Sequence, residues 1–287
     1  MSDAPLGVFD SGLGGLTVVR ALMRACPDED IIYLGDTARV PYGTRSAETV
    51  IRYARRAAEE LTSRGVKALV LACNTVSAVA LEILRAELDM PVLGVVEPGA
   101  RAAVQAALAL GAMPGASLPS VGVLGTAGTV RSGAYPRAVA ALSSRIEVLA
   151  EPAPLLVPLV EEGWLEGQVP ELAVERYIAP LLASGVGVLV LGCTHYPLLE
   201  PVFRKVSERL GGKPPTIVDS AAATADMVKE WLEQGKIPRA ESRSGTLHVL
   251  VTDQPTGFQR VADLFLGGHS PRVDQIDLSK PEASSTK

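Results

Sequence analysis

Short runs of β-branched residues and leucine alternate with longer stretches of helical periodicity along almost the whole chain, and this alternation most constrains the fold. Apolar runs of that kind read as strands buried on both faces, which pair in parallel and need crossover helices between them. The pattern predicts strands at 6–10, 30–34, 67–72, 92–96, 121–124, 146–149, 187–192, 216–218 and 246–251. Between them it predicts helices at 14–25, 46–64, 75–88, 97–110, 131–142, 170–184, 197–210, 220–234 and 255–266. The fold class is therefore α/β, built from doubly wound parallel sheets. Sheets of this class bind ligands beyond the carboxyl ends of their strands, so the turns from strand into helix are where chemistry is expected.

The chain also repeats itself. Gly7-Val8-Phe9-Asp10-Ser11-Gly12 has a counterpart in Gly122-Val123-Leu124-Gly125-Thr126-Ala127, 115 positions on. Leu69-Val70-Leu71-Ala72-Cys73 is matched by Leu189-Val190-Leu191-Gly192-Cys193, 120 positions on. Two offsets agreeing within five residues imply duplication of one α/β unit, hence two similar lobes related by a pseudo-twofold and facing one another across a cleft. The Gly-, Pro- and Ser-rich segment 111–120 reads as a surface loop, and the tail after Pro281 as frayed.

Composition narrows the class of function. Of 287 residues 47% are hydrophobic, enough for a large core and incompatible with general disorder. A formal charge of −5 without a long basic run argues against sequence-independent nucleic-acid binding. The apolar stretches around 66–96 and 181–193 are interrupted before the roughly 20 residues of a membrane span. Met1 to Pro5 carry neither a basic nor an apolar leader, so a cytoplasmic address is expected. Three cysteines make no disulfide framework. Cys26 falls where a helix ends and reads as inert.

Cys73 and Cys193 stand apart, because each emerges directly from an apolar strand, followed by Asn74-Thr75 in one lobe and Thr194-His195 in the other. Unpaired N–H groups and the helix dipole at such a position favour a thiolate and cradle a carboxylate. No C-x-x-C or H-x-x-x-H spacing supports a metal site, and no lysine in a strand-end turn supports a pyridoxal-phosphate enzyme. One cysteine paired with a neighbouring histidine would suit a hydrolase or decarboxylase but leaves Cys73 without purpose. Two equivalent thiols suit removal of a proton from one face of a carbon and its return on the other, which is racemisation. At an ordinary pKa near 8.5 only about 3% of a thiol is ionised at pH 7, so nearby groups must assist. Asp10, at the end of the first strand, and His195 are the candidates. Gly35 to Thr44, with Tyr42 and Gly43, follows the second strand and reads as a substrate-binding loop.

The motifs Phe9-Asp10-Ser11-Gly12-Leu13-Gly14-Gly15, Pro41-Tyr42-Gly43, Cys73-Asn74-Thr75 and Gly192-Cys193-Thr194-His195-Tyr196-Pro197 resemble those of glutamate racemase, within the aspartate/glutamate racemase family. The likeness extends to Gly125-Thr126-Ala127-Gly128-Thr129, Val157-Pro158-Leu159-Val160-Glu161-Glu162-Gly163 and Val218-Asp219-Ser220, covering nearly the whole chain. It implies cofactor-independent interconversion of L- and D-glutamate, supplying D-glutamate for peptidoglycan. By the resemblance, Cys73 acts on D-glutamate and Cys193 on L-glutamate, with Asp10 and His195 assisting. One acid of the Glu161-Glu162 pair matches the family's site glutamate, and spacing to Cys193 points to Glu162. Asp10, Ser11, Tyr42, Gly43, Asn74, Thr75, Thr126, Thr194 and His195 match substrate contacts. The resemblance also implies a second lobe inserted into the first, placing the lobes at 1–97 with 214–287 and at 98–213, and a homodimer. Some family members bind DNA gyrase as well, a partnership that no basic arm supports here.

Overall fold

The structure, a computed structural model, describes residues 2–112, 117–211, 213–241, 244–254, 258–268 and 271–278. Residues 113–116 of the loop expected at 111–120, and the tail after Pro281, lie outside the described residues. Among the described residues ten strands form two parallel sheets. They are β1 (Leu6–Asp10), β2 (Ile31–Gly35), β3 (Ala68–Leu71), β4 (Val92–Gly94), β5 (Ser120–Gly125), β6 (Val148–Pro152), β7 (Val186–Gly192), β8 (Thr216–Asp219), β9 (Leu247–Val251) and β10 (Arg272–Gln275). The helices between them are α1 (Leu16–Ala25), α2 (Ala47–Ser63), α3 (Asn74–Glu87), α4 (Val96–Gly111), α5 (Ala127–Ser132), α6 (Ala134–Leu142), α7 (Leu156–Glu161), α8 (Gln168–Ala183), α9 (Glu200–Arg209), α10 (Ser220–Glu233) and α11 (Phe258–Leu266).

The first sheet runs β10-β9-β2-β1-β3-β4 and the second β6-β5-β7-β8, so the order β2-β1-β3-β4 recurs in the second lobe. The repeat read from sequence reappears in the hydrogen-bond register. Val8 is level with Val70 and Phe9 with Leu71, while Val123 is level with Val190 and Leu124 with Leu191. Those pairs differ by the same 115 and 120 positions as the two sequence echoes. Cys73 and Cys193 therefore follow equivalent central strands.

Local chemistry explains the elements. β1, β3 and β4 are buried along their full length, as strands covered on both faces must be. In α2 the Ser46 side chain accepts from Thr49 N–H at 3.3 Å, and Val50, Ala54, Ala57, Ala58 and Leu61 repeat at three or four residues to bury one face. Each such valine or leucine contributes about 1.5–3 kcal/mol relative to exposure. The largest apolar cluster extends from Val8, Leu16 and Leu22 through Leu124, Leu191 and Phe203 to Val251 and Phe265, crossing from one lobe to the other.

Two boundaries expected from sequence differ in the structure. β8 pairs with β7, Leu191 level with Asp219, so the chain is still in the second sheet at 216–219 and rejoins the first at β9 rather than at 214. The α10 helix in between packs on both α1 and α4. The helix expected at 131–142 is two helices, α5 and α6, broken at Gly133 with φ of 64°. β10 and α7 are too short to be predicted from the sequence: β10 is a four-residue edge strand, Arg-Val-Asp-Gln, with little apolar signal, and α7 has only six residues. Among the described residues no helix is long and apolar enough to cross a membrane.

Candidate active site

Cys73 occupies the N-cap of α3, with extended backbone and no capping bond from its own side chain. Its sulfur is left free to receive the Val76 backbone N–H and to lie 3.4 Å from Ser11 Oγ. Burial, and next the Asp10 carboxylate, push this thiol up to about 12. It is therefore held as a thiol at neutral pH. Asp10 is itself raised by burial, opposed by the charge of His195. Its Oδ2 accepts from Gly12 N–H at 2.9 Å, and its Oδ1 has no hydrogen-bond partner.

Cys193 follows β7, and His195 Nδ1 lies 3.9 Å from its sulfur. The opposite nitrogen, Nε2, lies 3.1 Å from Glu161 Oε1. Burial would by itself lower the imidazole, but the Cys193 sulfur and the Glu161 carboxylate outweigh it and raise His195 to about 10. The ring is thus an imidazolium at neutral pH, with a cation's preference for negative charge on the neighbouring sulfur. Phe265 of α11 meets the ring edge-on, with centroids 5.3 Å apart.

One cavity takes its walls from both strand ends. Cys73 and Cys193 both line it, together with Ser11, Tyr42, Gly43, Asn74, Thr75, Thr126, Thr194 and His195. Of the residues expected from sequence, Asp10 stands behind the wall at 1% exposure, close enough to act electrostatically on Cys73 and His195. The lobes are stitched together around this cavity. Gly128 N–H donates to Gly43 O at 2.8 Å, and the hydroxyls of Thr75 and Thr126 lie 2.8 Å apart. Thr17 Oγ1 donates to Thr194 O at 3.1 Å. The phenol of Tyr42 donates to buried Asp36, which also accepts from Thr252 Oγ1 at 2.8 Å and pairs with Arg39 at 2.7 Å, tying the Tyr42 loop to the end of β9.

Glu162 is not the acid at this cavity; Glu161 is. Val157 and Glu161 are four residues apart on α7 and share its inward face, both lining the cavity. Glu162, one residue further round, faces an outer groove with Leu155, Pro158, Leu159 and Trp164. Linear spacing to Cys193 carries no information about which side of a helical turn faces inward, whereas the i, i+4 relation to Val157 does. Glu161→Gln is therefore expected to lower kcat/KM for racemisation about tenfold, through loss of the charge that sustains the imidazolium. Glu162→Gln should stay within about twofold. Equal losses in a side-by-side kinetic assay would refute this assignment.

Among the described residues no group of three or more His, Cys, Asp or Glu side chains is disposed to hold a metal ion.

The chain has close relatives among known proteins. Residues 6–228 match the family model described as Asp/Glu/Hydantoin racemase. A glutamate racemase of Geobacter metallireducens is 48% identical over 273 residues, covering 95% of this chain and 96% of that protein. Among solved structures, a glutamate racemase isoform from Bacillus anthracis superposes with a TM-score of 0.87 at 36% identity, covering 97% of this chain and 99% of the other. The Francisella tularensis glutamate racemase in complex with D-glutamate gives a TM-score of 0.86 at 33% identity, covering 97% and 99%.

Proposed function

This chain belongs to the Asp/Glu/Hydantoin racemase family, in its glutamate racemase branch, and from that premise we propose that it interconverts L- and D-glutamate by passing the α-proton between Cys193 and Cys73. The observation that carries the proposal is that two sulfurs, from register-equivalent strands of two repeated lobes, border one cavity.

L-Glutamate sits between the sulfurs with its α-hydrogen toward Cys193. The Cys193 thiolate, stabilised by the His195 imidazolium, takes that proton, and the electron pair left on the α-carbon delocalises into the carboxylate. Cys73 then gives its own proton to the opposite face. The product is D-glutamate, with Cys193 now a thiol and Cys73 a thiolate, the state from which the reverse reaction starts. The resting protonation fits this order, because burial and Asp10 keep Cys73 a proton donor while the imidazolium stands beside Cys193. In the reverse direction the Val76 N–H and the N-terminus of α3 stabilise the Cys73 thiolate. The α-carboxylate, where charge develops, has hydroxyl donors at Thr75 and Thr194 in the same cavity. The same family reading carries a homodimer and a cytoplasmic supply of D-glutamate for peptidoglycan.

The direct test incubates the purified protein in deuterated water with each enantiomer of glutamate and, separately, of aspartate, with no cofactor added. Racemisation of glutamate with deuterium at the α-carbon is expected, with aspartate at least about a hundredfold slower. Absence of α-deuteration of glutamate would end the proposal.

A further inference from the structure

Asn74 is one of the two residues that follow Cys73, and its carboxamide is engaged at only one end. Oδ1 accepts a 2.8 Å hydrogen bond from the phenol of Tyr135, a residue of α6 in the other lobe. Nδ2 is buried and has no hydrogen-bond partner, although Asn74 lines the cavity between the thiols. A buried amide donor without an acceptor is costly and rare in folded proteins, and its natural acceptor here is an anion in the cavity.

Tyr135 is built into this place. It is 1% exposed, and its ring lies against Gly192, the residue preceding Cys193, where an added Cβ would come within 3.1 Å of Cε2. Burial holds the phenol above its ordinary pKa, so it remains a donor across the working range, and the Ser220 hydroxyl flanks it. A single ring therefore touches the chain just before one thiol and the side chain just after the other.

We propose that Tyr135 is a positioning residue for racemisation: its phenol occupies Asn74 Oδ1, so that the carboxamide presents Nδ2–H to a carboxylate of the substrate. Without the phenol the amide is free to turn over and offer its oxygen, which repels a carboxylate. The role rests on the glutamate reading of the cavity. Because Nδ2–H meets a group already charged in the bound substrate, its loss weakens ground state and transition state alike, and the effect falls on KM rather than kcat.

The test is Tyr135→Phe, which keeps the ring over Gly192 and removes only the donor, assayed beside the wild type, Asn74→Ala and the double variant. The expected result is a KM for glutamate raised about tenfold, with kcat within about twofold. In the Asn74→Ala background, Tyr135→Phe should add less than about twofold, since its partner is already gone. A merely structural role would lower kcat together with thermal stability and would penalise both backgrounds equally. An unchanged KM in Y135F, or an equal penalty in both backgrounds, overturns the proposal. If Y135F melts below the assay temperature, Asn74→Ala alone must raise KM at least tenfold, and an unchanged KM there likewise overturns it. A wild type that turns over no glutamate refutes the reaction itself, a result distinct from an active wild type whose Y135F variant is unaltered.

Discussion

Cys73→Ala and Cys193→Ala are each expected to lower glutamate racemisation by at least about a hundredfold to ten-thousandfold, the range of one positioned acid–base group. Both thiols are buried, at 7% and 5% exposure, and each substitution removes a single sulfur, so folding should survive. Stereochemistry makes the prediction sharper than loss of activity. A protein lacking Cys73 still has a base on the Cys193 face, and in deuterated water it should slowly exchange the α-hydrogen of L-glutamate while leaving D-glutamate untouched. One lacking Cys193 should do the converse. Proton NMR of the α-hydrogen reads both outcomes. Substantial racemisation by either single variant, or exchange without facial preference, is incompatible with one base on each face. Because enantiomers have equal free energy, kcat/KM in the two directions must fall together in every variant. Exchange therefore reports which thiol serves which face when steady-state rates cannot.

Gly14→Ala should cost about a hundredfold in kcat although residue 14 touches no substrate, because a misplacement of about 1 Å in a catalytic group costs on that order. A Cβ built at Gly14 would lie 2.3 Å from Thr194 Oγ1 and 2.5 Å from His195 Nδ1. Backbone strain does not enter, since Gly14 is not at positive φ. The Thr194 backbone is pinned by Thr17 Oγ1 through its carbonyl. Relief must then come from the Thr194 hydroxyl and the imidazole, and displacing the ring breaks its 3.9 Å approach to the Cys193 sulfur. Steady-state kinetics with a parallel thermal melt checks this. A variant with wild-type kcat would mean that the ring yields without consequence, and with it would go the claim that the imidazolium next to Cys193 matters.

Most of the fold was readable along the chain where an element has enough residues to show its period. Nine strands and the longer helices were located this way, while β10, with four largely polar residues, and α7, with six, were not. The site was legible where it coincides with strand ends: Ser11, Cys73, Thr126 and Cys193 all follow apolar runs, and the repeat offsets place Ser11 opposite Thr126 and Cys73 opposite Cys193. Glu161 was legible only in part, since two adjacent acids differ by a helical rotation that one-dimensional spacing cannot express. Tyr135 carried no signal at all. It lies 61 positions from Asn74, in another lobe, and nothing in its local sequence marks the contact.

By itself the sequence determined the α/β class, the duplication and the emergence of one thiol at each of two matching strand ends, because periodicity and turn chemistry are properties of neighbouring residues. Only the tertiary structure decided that those ends converge on one cavity, that Glu161 rather than Glu162 faces it, and that a tyrosine from the second lobe holds an amide of the first. Those outcomes depend on how two lobes dock through a shared apolar cluster, and docking joins residues whose separation along the chain bears no relation to their distance in space.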